Sequence, residues 1–333
     1  MIKGKEYVIK EVLKYVKNNT DIINVISYFY NTATIFLDAI NYCINNNKSV
    51  LYIVNEEKEN IELISYLENN DYVYLDEKTD EDSCKVNFCD YNRALYLDEK
   101  YDLVIFDELG YMPFQSKKNI KNILSKAVKS RGTIIAYSIE PIFDRAVSIH
   151  FPLNKYNTPL IEPRVITTKI DMEEDLPLVA YEYISWTIAT EKKTIIYVPS
   201  NDKVISVYLY MDKLREKLTK DIFYFIKEKK DKTSIKAFLK SKTGILITDD
   251  YDEFHNEKLA DINIMVFFAD DNKFNYKNLV YLVSKIERAK SVMRKEIIFI
   301  CKDENEDIEK AKSIMRNLNK KGWEEGFIRL QNI

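Results

Sequence analysis

The chain has 333 residues, 46% hydrophobic and 31% charged, with only 6 glycines and 7 prolines; this fits a soluble protein of two domains with few long loops and argues against a largely disordered chain. Fifty basic residues stand against 53 acidic ones, a formal net charge of −3, and the two signs are interspersed, so a polyanion would have to be held at a local site. There is no apolar run long enough to span a membrane and no apolar N-terminal core followed by a small-residue cleavage site, so a cytoplasmic protein is expected.

Short β-branched or aromatic runs alternate with helix-length amphipathic segments, the pattern of mainly parallel sheets flanked by helices, and the expected class is α/β. In the first half the predicted strands are INVISYF, SVLYIV, YDLVIF, GTIIAYS and AVSIHF, and the predicted helices cover Ala33 to Asn46, Glu57 to Asn69 and Ser116 to Ser130. Pro152, Pro159, Pro163 and Pro177 then share a stretch with the acidic cluster DMEED, read as a linker with some strand. Alternation resumes with a helix over Leu178 to Thr190, strand TIIYVPS, a helix through Leu218, strand DIFYFI, and a helix ending near Leu239. Strands GILITDD and INIMVFFAD, a helix from about Tyr276, strand EIIFIC and a last helix over Glu304 to Lys320 complete the order. The expected division is a first domain over 1–151, a linker over 152–177 and a second domain over 178–333.

Cys43, Cys84, Cys89 and Cys301 are scattered. Only Cys84 and Cys89 are close, no second pair completes a zinc knuckle, and buried free thiols are expected. His150 and His255 are too isolated to suggest a metal site.

The run YDLVIF ends in adjacent carboxylates, Asp107 and Glu108. In an α/β sheet the ligand crevice lies beyond the carboxyl ends of the strands. A nucleotide hydrolase uses such a pair to hold magnesium, usually through water, and to orient or deprotonate the attacking water. A solvated turn is the plain alternative. The following helix and strand end in Ser138-Ile139-Glu140-Pro141, where superfamily 2 helicases have Thr-Ala-Thr-Pro or Ser-Ala-Thr. The order of carboxylate pair, PF, helix, GTIIAYS and proline-ended turn resembles the late competence ComFA family, helicase-like DNA-uptake ATPases of Gram-positive bacteria. KTIIYVPSNDKV, GILITDDYDEF, INIMVFFADDNKFNYKNLVYLVSKIERAKS and AKSIMRNLNKKG resemble, in order and spacing, that family's second domain. The resemblance spans roughly Asp21 to Gly322 and implies two tandem RecA-like domains.

The chain departs from that family at three motifs. A working motor cradles phosphates in a Gly-x-Gly-Lys-Thr loop after the first strand. At the matching positions stand Phe29 and Asn31 for the glycines, Thr32 for the lysine and Ala33 for the threonine, and Ser27 to Ile40 contains neither glycine nor lysine. Tyr28, Phe29 and Tyr30 would fill the space a triphosphate needs. In YLVSKIER the family's glutamine becomes Tyr281, its glycines Ser284 and Glu287, and its arginines Lys285 and Arg288; a surface helix of mixed charge is the plain reading. TDDYDEFHNE places Asp249, Asp250, Asp252 and Glu253 where they would repel nucleotide and DNA; it lacks the glycine of a calcium loop, so a solvated acidic loop or protein-binding patch is expected. The family's Cys-rich zinc module has no counterpart ahead of the first strand.

Three functions remain open. The first is a degenerate helicase-like protein, ATPase-weak or inactive, binding single-stranded DNA or a DNA-processing partner. The second is an active ATP-dependent translocase with unusual residues. The third is an interaction scaffold without nucleic-acid contact. Candidate residues are Asp107, Glu108 and Arg288 for vestigial catalysis and Asn31, Thr32 and Lys285 for degraded nucleotide contacts. Asp107 would hold magnesium only if ATP binds; otherwise no cofactor is expected. Basic residues interleaved with aromatics in Lys213 to Lys232, and the segment KSVMRK, are candidate single-strand contacts.

Overall fold

The computed structural model describes residues 4–29, 31–68, 71–75, 85–110, 115–154, 158–252, 254, 261–287 and 295–328. The chain divides into two compact units, Met1–Leu160 with Asn317–Ile333, and Ile161–Arg316.

The first unit is built on strands β1 (Ile22–Ile26), β2 (Val50–Val54), β3 (Tyr72–Tyr74), β4 (Val86–Cys89), β5 (Tyr101–Asp107), β6 (Val128–Ser138) and β7 (Val147–His150). They form one sheet in the order β3-β4-β2-β5-β6-β1-β7, with every pair parallel. Parallel strands are covered on both faces, so they read as nearly continuous apolar runs; β2, VLYIV, is buried at all five positions. The helices are α1 (Lys5–Lys17), α2 (Leu37–Asn45), α3 (Tyr91–Ala94) and α4 (Lys117–Ala127). α1 buries Val8, Val12 and Val16, one face at a spacing of four. α4 starts at Ser116, whose hydroxyl accepts the Asn119 N–H, the usual N-cap bond, and it packs Ile120 and Leu124 against Leu51, Ile53, Val104 and Phe106.

Three features of this unit differ from expectation. β3 and β4 were not among the predicted strands: β3 is three half-buried residues, and β4 carries Asn87, whose amide donates to the Tyr101 hydroxyl at 2.9 Å. The helix expected over Glu57 to Asn69 is instead two 3-10 turns, Lys58–Asn60 and Glu62–Tyr66, because Ile61 between them is extended (φ −72°, ψ 107°). Val128, read as helical, is also extended and opens β6 directly after α4.

The second unit holds β8 (Arg164–Thr167), β9 (Lys193–Tyr197), β10 (Ile222–Phe225), β11 (Gly244–Thr248), β12 (Ile262–Phe267) and β13 (Ile297–Cys301). Their order is β10-β11-β9-β12-β13-β8, again all parallel. The helices are α5 (Leu178–Ala189), α6 (Asn201–Lys213), α7 (Thr233–Lys240), α8 (Tyr276–Glu287) and α9 (Glu306–Glu324). β8 lies in the stretch read as a linker with some strand. α5 and α6 share a core with β9, β11, β12 and β13, built from residues such as Ile184, Val207, Ile196, Ile247, Met265 and Ile298. Cys43, Cys89 and Cys301 are free and buried; Cys84 and His255 lie outside the described residues. His150 pairs through Nδ1 with Glu325 at 2.9 Å. No described helix is long and apolar enough to cross a membrane.

Candidate functional site

In the first unit the carboxyl ends of β1, β5 and β6 are tied together. The Ser27 N–H donates to Ser138 O at 3.0 Å and the Glu108 N–H to Tyr137 O at 3.0 Å. The Tyr137 hydroxyl donates to Thr32 O at 3.2 Å. This edge is where a ligand crevice is expected, and it brings Asn31, Thr32, Asp107 and Glu108 to one end of the sheet.

The loop after β1 is filled and self-satisfied. Tyr28 and Phe29 are 3% and 0% exposed, so these aromatics are core, not lining; Tyr30 lies outside the described residues. The Asn31 amide donates to Ser27 Oγ at 2.7 Å and Leu153 O at 2.9 Å. In a phosphate loop successive N–H groups turn toward the anion. Here the Thr32 N–H donates to Asn31 Oδ1 at 2.9 Å, the Ala33 N–H to Glu62 Oε2 at 3.0 Å and the Thr34 N–H to Thr32 Oγ1 at 3.2 Å. The Thr32 hydroxyl also donates to Glu62 Oε2 at 2.8 Å. Glu62 therefore accepts from both the Ala33 N–H and the Thr32 hydroxyl, and the other two N–H groups are taken by Asn31 and Thr32. The Lys5 ammonium, from the first turn of α1, donates to Thr34 Oγ1.

Asp107 is equally engaged. The Tyr52 hydroxyl, on the neighbouring β2, donates to its Oδ2 at 2.5 Å and the Leu109 N–H to its Oδ1 at 2.8 Å. Burial pushes its carboxyl up to about 6, against the lowering effect of those two donors. Burial, and then Asp107 itself, hold the Tyr52 hydroxyl well above the usual phenol range. Glu108 is 6% exposed. Both oxygens of Asp107 thus face protein hydrogens, unlike a carboxylate turned toward a hydrated magnesium ion.

In the second unit Lys285 corrects the surface-helix expectation, because it is fully buried, as are Leu279 to Ile286 around it. Two turns of almost unbroken apolar sequence outweigh one charge in setting the burial of α8. The Lys285 ammonium lies 5.1 Å from the Tyr281 ring centroid, a cation–π distance. Arg288, the Glu287 side chain and Glu253 lie outside what is described. The acidic loop is organised, not merely solvated: Asp250 is 7% exposed, and Lys227 reaches both Asp250 and Asp252 at 3.4 Å. Asp249 accepts the Lys227 N–H at 2.9 Å, and Tyr281 donates to Asp252 at 3.2 Å. Burial lowers the Lys227 ammonium, but Asp250 and Asp252 more than reverse this and leave it raised. In Lys213 to Lys232 the aromatics Phe223 and Tyr224 are half-buried. Phe223 packs edge-on against Phe238 at 6.4 Å and Tyr224 tilts onto Tyr208 at 4.6 Å, while Lys229, Lys230 and Lys232 are exposed. Of KSVMRK only Lys295 is described; it is buried and donates to Ile286 O at 2.8 Å.

Glu62, Tyr52 and Lys5 were not among the residues singled out from sequence. Glu62 lies 29 residues from Ala33 and Tyr52 lies 55 from Asp107, and no local motif marks such pairs.

No protein-family model matches the chain, and no curated protein does. Solved structures do match. One, S. cerevisiae Dbp5 bound to RNA and ADP BeF3, aligns over 98% of this chain and 96% of its own, with a TM-score of 0.50 and 11% identity. Another, the DUF1998 helicase MrfA bound to DNA, aligns over 93% of this chain and 51% of its own, with a TM-score of 0.53 and 11% identity. The fold is thus a pair of tandem RecA-like domains, two parallel sheets flanked by helices.

Proposed function

We propose that this chain is a helicase-like protein that has lost nucleotide turnover and works by binding single-stranded DNA or a DNA-processing partner, in the manner of a degenerate relative of the competence DNA-uptake motors. One observation carries the reading. The N–H groups of Thr32, Ala33 and Thr34 are all taken by side chains of the chain itself, Glu62 among them, so no phosphate cradle is left to fill. Buried Tyr28 and Phe29 and the missing lysine act in the same direction, since a triphosphate needs neutralising charge and inward donors. The neighbours' bound RNA and DNA support a nucleic-acid role for a scaffold of this kind.

The test is calorimetric titration with magnesium and ATP, with and without a single-stranded oligonucleotide. The expected result is no saturable heat from the nucleotide in either case; saturable binding overturns the reading.

A second reading, an active ATP-dependent translocase, is favoured by Asp107 and Glu108 together at the strand end and by Lys5, which brings an ammonium to Thr34. Phosphate release that is abolished by Glu108→Gln, the residue placed to orient or deprotonate water, would establish it.

A further inference from the structure

We propose that the outer face of α5 is a docking surface for a partner protein that presents a basic, amphipathic helix. The sequence of α5, LVAYEYISWTIA, carries a single charge, Glu182. Its inner face, Ala180, Tyr183, Ile184 and Thr187, is buried and packs on the second sheet, as the core residues Ile196 and Met265 show. The opposite face carries large apolar side chains on either side of the exposed Glu182: Leu178 is 66% exposed, Val179 42% and Trp186 45%. Positions 178, 182 and 186 recur every four residues and so share one stripe of the helix.

Single exposed apolar side chains are ordinary, but a contiguous group of large ones on one face marks an interaction site. Trp186 has the character of an anchor. Its ring is held in place, 5.7 Å from Tyr183 and 5.2 Å from the Lys192 ammonium, so a partner would meet a side chain that has already lost its freedom.

Charge selects the occupant. Asp171, Glu173, Glu174 and Asp175 lead into the helix and Glu182 stands within the apolar stripe, all exposed. Lys203 pairs with Glu173 at 2.7 Å and Lys192 sits beside Trp186, so the acidic charge is concentrated at the N-terminal end of the stripe and at Glu182. Such charge repels nucleic-acid phosphates and anionic lipid headgroups, while complementary charge steers and orients a basic protein surface. An amphipathic helix matches a ridge of Leu178, Val179 and Trp186 by ordinary helix–helix packing. The surface is independent of whether nucleotide or DNA binds elsewhere.

Two helical peptides of about 18 residues test this, each with a leucine stripe, one flanked by lysine and arginine and the other by glutamate. The full chain carrying Trp323→Phe leaves Trp186 as its sole tryptophan, so its emission and calorimetry both read the site. The expected result is saturable binding of the basic peptide, with a blue shift of Trp186, and about tenfold or greater weakening by Leu178→Ser and, separately, by Glu174→Lys with Asp175→Lys. Leu178 and these carboxylates are exposed, so the variants keep the fold. The proposal is overturned if neither peptide binds, if both bind equally, if the variants leave binding unchanged, or if a single-stranded oligonucleotide produces the same shift. A dimer in sedimentation that Leu178→Ser disperses assigns the face to a second copy and overturns it as well.

Discussion

A carboxylate with both oxygens engaged by protein donors and almost no access to water titrates unlike one that faces a hydrated cation. Asp107 is such a group, with Tyr52 on one oxygen and the Leu109 N–H on the other, and burial raises it from 3.8 to about 6. A pKa raised on folding means that the native state binds the proton more tightly than the unfolded chain does. The resulting stability is fully present below pH 3.8 and is lost as pH rises through about 6. A shift of this size is worth on the order of 3 kcal/mol. Asp107→Asn removes the titration, so the difference in melting temperature between variant and parent should move in the variant's favour as pH rises from 4 through 6 and then level off. Thermal melts at a series of pH values check this; a difference that does not change with pH would show that Asp107 stays ionised in the fold. Glu62 illustrates the opposite case, a carboxylate at the surface that matters for the bonds it accepts, since it takes the Ala33 N–H and the Thr32 hydroxyl of a loop about 30 residues away.

At the scale of elements, most strands were legible, though not β3 and β4, because a parallel strand buried on both faces has to be apolar throughout: SVLYIV, YDLVIF and EIIFIC each lie on an observed strand. The 3-10 turns over Glu57 to Asn69 were not, because apolar spacing predicts a helix whereas Ile61 is extended and Glu62 is bonded to a loop 30 residues away, a tertiary demand with no local signature. The burial of Lys285 was hidden for a related reason: its charge and the charges beside it read as a solvated face, whereas the apolar turns before it determine where α8 goes. The absence of glycine and lysine from Ser27 to Ile40 is plain in the sequence; the side chains that accept the Thr32, Ala33 and Thr34 N–H groups are not. Gly132 shows what close packing of elements requires. The β5–β6 register is irregular between Tyr101 and Leu103, and a Cβ at Gly132 would sit 2.9 Å from Tyr101 O, 3.0 Å from Asp102 O and 2.7 Å from Val128 Cγ2. The two carbonyls are backbone and have little room to yield. Gly132→Ala should therefore destabilise the protein by about 1–3 kcal/mol, read as a lower urea midpoint; an unchanged midpoint would mean that β6 relaxes at no cost.

For the molecule as a whole, a net charge of −3 means that any grip on single-stranded DNA has to be local, and the acidic loop with Lys227 locked to Asp250 and Asp252 is unsuited to it. The exposed lysines beyond β10 are better placed. Lys230 adopts a left-handed conformation (φ 53°), and Lys229, Lys230 and Lys232 are exposed around it, while the nearby Phe223 and Tyr224 are half-buried against Phe238 and Tyr208. Binding there would rest on phosphate contacts and would be indifferent to sequence. Each phosphate neutralised on a single strand contributes about 0.7 to the slope of log affinity against log salt, so three lysines contribute roughly 2. Changing Lys229, Lys230 and Lys232 together to glutamine should weaken binding of a labelled oligonucleotide and flatten that slope by roughly 2, measured by fluorescence anisotropy across a salt series. A slope that survives the triple change would place the strand on another surface, while loss of affinity at constant slope would point to a structural effect of the substitutions in place of lost phosphate contacts.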